Sequence, residues 1–144
     1  MIEMVSMNAT AVRNTFSSVI DTVVRERPVF IQRTRDHLML ANLNLIEALT
    51  NNCAFTAGRY QEDDGSVTLT LDQMDIAVNA PSETEAIMAL AGDLHEYALD
   101  YYENYPVWSI SPNRKEHLPY VVKVLIAADI KKIGDMITCR DGAS

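Results

Sequence analysis

The 144-residue sequence contains few of the features that would tie a chain to a membrane or to an oxidising compartment. Its only two cysteines, Cys53 and Cys139, lack the spacing of metal-binding or redox motifs, so we expect two reduced thiols. No apolar run approaches the roughly 20 residues that a membrane helix needs. The segment Met1–Met4 lacks the basic and apolar character that opens a signal peptide. We therefore expect a cytoplasmic protein of one or two small domains, without membrane association.

Residues that could form a catalytic or metal centre are also scarce. The histidines His37, His95 and His117 lie far apart, and none has a second ligand at zinc-binding spacing. No glycine-rich phosphate loop or nucleophile elbow occurs. The acids at positions 63, 64, 72 and 75 do not follow the pattern of a calcium loop, so a solvated turn explains them better. We expect no enzymatic activity, no cofactor and no metal site.

The net charge of −8 is unevenly distributed along the chain. Residues 1–50 contain five arginines and five acids, whereas residues 51–111 contain one arginine and eleven acids. Residues 112–144 contain six bases and four acids. Arginine suits bidentate contacts with phosphate and guanine, so the neutral first segment is a candidate for nucleic-acid binding despite the acidic total.

The pattern of residues 1–52 predicts the order β–α–β–β–α. Met4–Met7 can supply a leading strand, and Asn8 can cap a helix that Pro28 ends. The apolar positions of this helix recur at helical spacing: Val12, Phe16, Val19, Ile20, Val23 and Val24. The runs Val29–Ile31 and Leu38–Leu40 flank the polar segment Gln32–His37 and predict a hairpin. Asn42 can cap a second helix, with Leu43, Ile46 and Leu49 as its apolar positions.

Three motifs in this stretch occur in the order typical of the prevent-host-death (Phd/YefM) antitoxins, and the stretch resembles that family. The family's Ser/Asn-Ala-Thr-x-x-Arg helix start corresponds to Asn8–Arg13, and its Val-x-Ile-x-Arg strand corresponds to Val29–Arg33. Its second helix start corresponds to Asn42–Ile46. Two departures are Ala11, where the family often has Glu, and the absence of glycine from the hairpin turn.

The resemblance covers the first third of the chain and implies a dimerising domain that binds operator DNA through Arg13 and Arg33. Polar neighbours complete the candidate DNA-binding set: Asn8, Thr10, Asn14 and Arg35. On spacing alone, ordinary solvated arginines are the simpler interpretation. The short disordered toxin-binding tail that the family commonly carries has no counterpart here, because the following residues have the pattern of a folded domain.

Residues 53–144 predict an acidic α+β domain made of a strand pair, a long acidic helix and two C-terminal helices. A strand at 54–60 precedes an acidic turn that ends at Gly65, and Val67, Leu69 and Leu71 then alternate with polar residues. The apolar phase slips by one residue at Met74, Ile76 and Val78. Such a slip reverses the buried face and requires a bulge or bend near residues 72–73.

The long helix of this domain has the clearest pattern in the chain. Ser82 and Glu85 have capping-box spacing, and Pro106 is expected to end the helix. One face is apolar: Ile87, Leu90, Ala91, Leu94, Ala98 and Tyr101. Another is acidic: Asp93, Glu96, Asp100 and Glu103. A solvated face is the simpler interpretation of these acids. The alternative is a surface for a basic partner, with Tyr97, Tyr101 or Tyr102 as aromatic anchors.

The last part of the chain predicts less regular structure. We expect Tyr105–Asn113 to be irregular or a short strand, and Leu118–Ile137 to form two helices meeting near Ala128–Asp129. Asp141–Ser144 is expected to be a frayed tail. The strand–strand–helix order, with Pro81–Ala86 opening the helix, weakly resembles the partial fold of HicB-type antitoxins.

Together these patterns indicate an α+β protein with a DNA-binding and dimerisation domain at 1–52 and a partner-binding domain at 53–144. We interpret it as the antitoxin of a type II toxin–antitoxin module, a homodimer or higher even oligomer. Its partners would be a cognate toxin, which it neutralises by direct binding, and operator DNA, through which it represses its own operon. The alternative is a protein-interaction module that uses the same scaffold without binding DNA.

Overall fold

The computed structural model describes residues 5–142 and shows a mixed α+β protein with two sheets and several helices. The chain divides into two compact units, residues 1–49 and 50–144. Each unit has a sheet and an apolar core of its own. The junction lies three residues before the boundary expected from the sequence.

The first unit contains three strands and three helices. They are β1 (Met7–Asn8), α1 (Ala9–Asn14), α2 (Phe16–Arg25), β2 (Val29–Arg33), β3 (Asp36–Leu40) and α3 (Leu43–Leu49). The strands lie in the order β1-β2-β3, with β1 parallel and β3 antiparallel to β2. The predicted leading strand is observed only at its last residue, Met7, and Met4 lies outside the described residues.

The hairpin turn is shorter than the sequence predicted. Strand pairing continues through the polar residues to Arg33 and Asp36, so only Thr34 and Arg35 form the turn. Thr34 adopts a φ of 55°, a left-handed conformation that a threonine rarely takes. The prediction that Gln32–His37 is all turn was wrong, because cross-strand hydrogen bonds do not require apolar side chains.

The predicted first helix is interrupted at Thr15. This residue has φ −126° and ψ 33°, and its Oγ1 donates a hydrogen bond of 2.7 Å to the carbonyl oxygen of Ala11. A threonine hydroxyl that bonds back four residues competes with the regular backbone pattern. The predicted N-cap is confirmed, since Asn8 Oδ1 accepts the Thr10 N–H at 2.8 Å.

The core of the first unit is small. It consists of four buried valines: Val12, Val19, Val23 and Val29. Nine apolar side chains among the described residues of the unit are exposed instead: Val5, Met7, Phe16, Val24, Phe30, Leu38, Met39, Leu43 and Leu49. The apolar stripe predicted on the first helix is therefore only partly buried, since Phe16 and Val24 face solvent.

The second unit is a four-stranded sheet packed with helices. Its elements are β4 (Phe55–Gln61), β5 (Val67–Leu71), β6 (Ala77–Ala80), α4 (Glu83–Glu103), α5 (Tyr105–Trp108), a 3₁₀ turn (Lys115–His117), α6 (Leu118–Ala127), α7 (Ile130–Asp135) and β7 (Ile137–Asp141). The strand order is β6-β5-β4-β7, antiparallel except for the parallel pair β4 and β7. The sequence predicted a strand pair for this unit, whereas its described residues form four strands.

The two missed strands have different explanations. The predicted bend after Leu71 is a complete reversal, in which the Leu71 N–H donates to the Ile76 carbonyl oxygen. Met74 and Ile76 lie in this reversal, and Val78 lies in the separate strand β6. Strand β7 was assigned to a helix and a tail because Ile137 continues the apolar spacing of α7. It pairs instead with β4, placing Ile137 beside Phe55, far back along the chain. Residues 143 and 144 of the predicted tail lie outside the described residues.

Helix α4 is the central element of the second core. Ser82 Oγ accepts the Glu85 N–H at 3.2 Å and donates to the Glu85 carboxylate at 3.0 Å, as the capping-box spacing predicted. Leu90, Leu94 and Tyr101 of its apolar face are completely buried. Pro106 does not end α4, which stops at Glu103. It lies in the first turn of α5, where its missing N–H has no partner to lose, so the predicted irregular segment begins as a helix.

The C-terminal helices meet where the sequence predicted. Ala128 terminates α6 with a φ of 60°, and Asp129 Oδ1 accepts the Lys131 N–H at 2.7 Å to begin α7. Val121 and Val124 of α6 and Ile133 of α7 complete the core with α4 and the sheet.

Candidate nucleic-acid and partner surfaces

Arg13 and Arg33 line the same open groove of the first unit, although twenty positions separate them in the sequence. Arg13 lies in the last turn of α1, and Arg33 ends β2. The groove encloses about 680 Å³, and its other lining residues are mainly apolar: Ala9, Val12, Phe16, Ile31, Asp36 and Leu38. The fold thus brings together the two arginines for which the sequence resemblance implied a common role.

Asp36 forms an ion pair with Arg33 in this groove and would compete with a phosphate for it. Asp36 Oδ2 lies 3.3 Å from Arg33 Nη2, and both side chains are well exposed. An exposed ion pair of this kind contributes at most about 1 kcal/mol, so a phosphate could replace the carboxylate at little cost. With Arg13 included, the groove retains one net positive charge.

The four other candidate DNA-binding residues differ in how available they are. Asn8 Oδ1 accepts the Thr10 N–H that caps α1, so the amide nitrogen and one lone pair of the oxygen are left for another partner. Thr10, Asn14 and Arg35 are exposed at the surface of the same unit. All four lie outside the lining of the groove, so the structure does not join them to Arg13 and Arg33 in one site.

The acidic residues predicted on one side of α4 are not covered by the fold. Asp93, Glu96, Asp100 and Glu103 extend over three turns, about 15 Å of helix. None of the four forms an ion pair with another residue of the range 5–142. Their charge is therefore not neutralised by the part of the chain that the structure describes.

Two of the three aromatic residues expected beside this stripe belong to the interior instead. Tyr101 has no exposed surface, and its hydroxyl donates to the carbonyl oxygens of Arg114 at 2.9 Å and Trp108 at 3.3 Å. Tyr97 is half-buried, and its hydroxyl is hydrogen-bonded to His117 Nδ1 at 2.7 Å. Both lie on the side of α4 that packs against residues 105–117; Tyr101 is enclosed there, whereas part of Tyr97 stays accessible. Their assignment as partner anchors stays a prediction.

These tyrosines belong to an aromatic cluster that fastens residues 105–117 to α4. Trp108 stacks on Tyr97 with 5.9 Å between ring centroids, and the Arg114 guanidinium lies 3.7 Å from the Trp108 ring centroid. Burial raises the pKa of Tyr97 and of Tyr101. Burial, together with the Arg114 charge, lowers the pKa of His117, which therefore favours its neutral form.

Tyr102, which the sequence analysis named as a possible anchor, is exposed near this cluster, and so are three apolar residues that the sequence analysis missed: Leu99, Val107 and Ile110. Their signal was weak, because three-residue spacings at the end of α4 and in the following segment resemble the spacing of core residues. Only the packing of Tyr97, Tyr101 and Trp108 shows which aromatic side chains remain outside.

A family model matches nearly the whole chain. A PHD-like family, described as the antitoxin of a toxin–antitoxin system of the RelE/RelB type, matches residues 1–139. The chain belongs to this antitoxin family.

A solved structure shares both the fold and much of the sequence. It is the crystal structure of the antitoxin part of a proposed toxin/antitoxin system from Syntrophomonas wolfei subsp. wolfei, with a TM-score of 0.89 and 39% sequence identity. The match covers 96% of this chain and 99% of that chain. No curated protein sequence matches this chain.

Membership in an antitoxin family indicates a regulatory protein with a cognate toxin as its partner. Within residues 5–142, no group of three or more histidine, cysteine, aspartate or glutamate side chains is arranged to hold a metal ion. The same residues contain no helix that combines the length and the apolar character needed to cross a membrane.

Proposed function

We propose that this chain is a cytoplasmic antitoxin of the Phd/YefM type, which neutralises its toxin by direct binding and represses its own operon through the first unit. The observation that supports DNA binding most directly is the shared groove of Arg13 and Arg33. The six-residue helix start and the strand that carry these arginines are the segments that resemble the Phd/YefM motifs.

A homodimer formed through the first unit is part of this proposal. Four buried valines are a small core for a sheet and three helices, and nine apolar side chains of the described residues remain exposed, seven of them outside the arginine groove. Burying apolar area yields about 25 cal/mol per Å², so a second copy that covers these side chains would supply stability that one copy lacks. A two-fold dimer presents two copies of the arginine groove, as a palindromic operator requires.

Light scattering tests the oligomeric state of the full-length chain. The protomer has a mass of 16.1 kDa, and we expect a dimer or a higher even oligomer at micromolar concentration. Met39→Ser and Leu43→Ser remove exposed apolar side chains of the first unit that do not line the arginine groove, and they should shift the equilibrium toward monomer. A wild-type protein that is monomeric at micromolar concentration would contradict the dimer and weaken the DNA proposal.

Fluorescence anisotropy with the promoter DNA of the chain's own operon tests the groove. Arg13→Ala and Arg33→Ala should each weaken binding by about 1–3 kcal/mol if the side chain contacts a base. If the side chain instead binds a phosphate, its removal should weaken binding to all sequences and reduce the salt slope by about one. Arg25→Ala is the matched control, because this exposed arginine at the end of α2 does not line the groove.

Unchanged operator binding in both groove variants would favour the alternative function, a protein-interaction module on the same scaffold. The net charge of −8 is the observation that favours this alternative, since an acidic protein opposes the field of DNA. The HicB-type likeness of the second unit remains a hypothesis that rests on the order β5, β6 and α4.

A further inference from the structure

Arg33 and Asp36 form the last cross-strand pair before the turn of the β2–β3 hairpin. Opposite residues of an antiparallel pair project from the same face of the sheet, so the guanidinium and the carboxylate emerge side by side. Both side chains are well exposed, at 74% and 66%, and both line the arginine groove, which is the groove that Arg13 and Arg33 share. The tip of the hairpin therefore presents a hydrogen-bond donor and an acceptor together.

The short turn of the hairpin fixes this pairing. Only Thr34 and Arg35 separate the two paired residues, and a slip of one position would turn the carboxylate to the opposite face of the sheet. The left-handed φ of 55° at Thr34 permits such a short connection. Gln32 Nε2 donates a hydrogen bond of 3.3 Å to the Thr34 carbonyl oxygen and so ties the turn to β2. The backbone thus keeps the guanidinium and the carboxylate adjacent.

The two arginines of the groove have different surroundings. Arg33 Nη2 donates to Asp36 Oδ2 at 3.3 Å, whereas Arg13 forms no ion pair with another residue of the range 5–142. Asp36 is the single acid among the described residues that line the groove. A DNA phosphate is negatively charged, so it meets a repelling neighbour at Arg33. Arg13 is therefore the better phosphate ligand of the two.

The edge of a guanine suits the Arg33–Asp36 pair better than a phosphate does. A guanidinium has five N–H donors, and those not directed at Asp36 can reach the O6 and N7 acceptors of guanine. These acceptors belong to a neutral base, so the carboxylate does not repel them and the ion pair need not break. The contact with Arg33 uses Oδ2 of Asp36, which leaves Oδ1 to accept from the amino group of a cytosine.

We propose that the tip of the β2–β3 hairpin enters the major groove of the operator, where Arg33 binds a guanine and Asp36 binds the amino group of a cytosine in the neighbouring base pair. The major groove of B-DNA admits a two-stranded β-ribbon and presents both groups. Asp36 also orients the guanidinium toward the base, and Arg13 contacts phosphate. The inference rests on the proposed binding of operator DNA, and it adds Asp36 to that site as a specificity-determining residue.

Fluorescence anisotropy of the full-length chain with two duplexes tests the role of Asp36. One duplex is the promoter DNA of the chain's own operon, and the other is a scrambled duplex of equal length and composition. Asp36→Ala should lower the ratio of promoter affinity to scrambled affinity at least about fivefold, as expected for the loss of one good base contact. Binding to the scrambled duplex should stay equal or tighten, because the variant loses a negative charge.

Asp21→Ala is the matched control, because it removes an exposed acid of the same unit that lies outside the arginine groove. It changes the net charge equally and should keep the affinity ratio of the wild type. Asp36→Asn is a second variant that retains the shape of the side chain. Asparagine pairs with adenine, so this variant should shift the preference at one base pair from cytosine toward adenine. Circular dichroism of each variant reports whether the fold is kept.

Replacing each base pair of the promoter in turn locates the contacts. Arg33→Ala should relax the preference for a guanine, and Asp36→Ala should relax the preference for a cytosine in the adjacent base pair. Arg13→Ala should instead weaken binding to both duplexes and reduce the salt slope by about one per site.

If the wild type does not prefer the promoter to the scrambled duplex, the proposed operator binding fails and the role of Asp36 fails with it. If the wild type has this preference but Asp36→Ala tightens binding to both duplexes by the same factor, the carboxylate only opposes phosphate. The inference is then refuted while the proposed function stands. The same conclusion follows if Asp21→Ala lowers the ratio as much, or if Asp36→Ala relaxes no base pair beside the one that Arg33→Ala relaxes.

Discussion

The Tyr101 hydroxyl offers a direct test of how residues 105–117 are fastened to α4. Tyr101→Phe keeps the buried ring and its contacts with Tyr97, Tyr105 and Trp108 but removes the hydroxyl. The single hydroxyl hydrogen lies between two carbonyl oxygens, Arg114 at 2.9 Å and Trp108 at 3.3 Å, so it makes one good hydrogen bond rather than two.

The loss in unfolding free energy depends on the hydrogen bonds that the two carbonyl oxygens keep in the variant. The Arg114 carbonyl oxygen still accepts the His117 N–H at 3.0 Å, and the Trp108 carbonyl oxygen still accepts the Ser111 N–H at 3.2 Å. Neither is left unpaired, so the loss should be the net value of one hydrogen bond, about 0.5–1.5 kcal/mol. For a domain of this size, each kcal/mol corresponds to a decrease in Tm of about 4–8 °C.

Urea denaturation followed by Trp108 fluorescence and circular dichroism measures this loss. The tryptophan lies within the cluster and reports on the second unit alone. Tyr102→Phe is the matched control, because this neighbouring hydroxyl is on an exposed side chain and its removal should change the unfolding free energy by less than about 0.5 kcal/mol. If Tyr101→Phe is as neutral as the control, the hydroxyl does not fasten the segment. A loss above about 3 kcal/mol would show that the carbonyl groups depend on the hydroxyl far more than one net hydrogen bond allows.

Three further predictions concern the C-terminal elements of the second unit. Asp129→Ala removes the cap that accepts the Lys131 N–H and should cost about 0.5–2 kcal/mol in urea denaturation, whereas Asp129→Asn should restore most of it. Ala128→Gly should stabilise the chain by about 0.5–1 kcal/mol, because the φ of 60° strains alanine but not glycine; a loss of stability would contradict this. The lowered pKa of His117 means that the unfolded chain binds its proton more readily, so the stability due to this group is present above about pH 6.5 and is lost as the pH falls below it. Denaturation of His117→Gln across pH 5 to 8 should show a weaker decline on the acidic side than the wild type shows.

Capping residues in the sequence were sufficient to predict the helix starts at which they occur. Asn8, Asn42 and Ser82 each accept the backbone hydrogen bond that their side chains and positions favour. Helical spacing also identified the buried face of α4, because that face depends on a period of 3.6 residues within one element. The order of three short motifs led to an antitoxin family, and the family match over residues 1–139 confirms that level of the interpretation.

Local sequence patterns did not predict the pairing of strands β6 and β7. Strand β7 pairs with β4 across most of the second unit, and its first residue continues the apolar spacing of the preceding helix. Strand β6 was missed for a different reason, because an apolar phase slip is compatible with either a bulge or a reversal. Strand β6 pairs with the strand just before it, whereas the partner of β7 lies far back along the chain.

The sequence by itself determined the caps, the buried face of α4, the acidic middle segment and the arginines of the first unit, since each depends on residue type and spacing alone. Only the tertiary structure decided which surfaces those residues form. It brought Arg13 and Arg33 into one groove, and it buried Tyr101 while leaving Tyr102 in solvent. Adjacent residues on a helix differ by about 100° in direction, so the segment that packs against the helix decides which of two neighbouring tyrosines is core and which is surface.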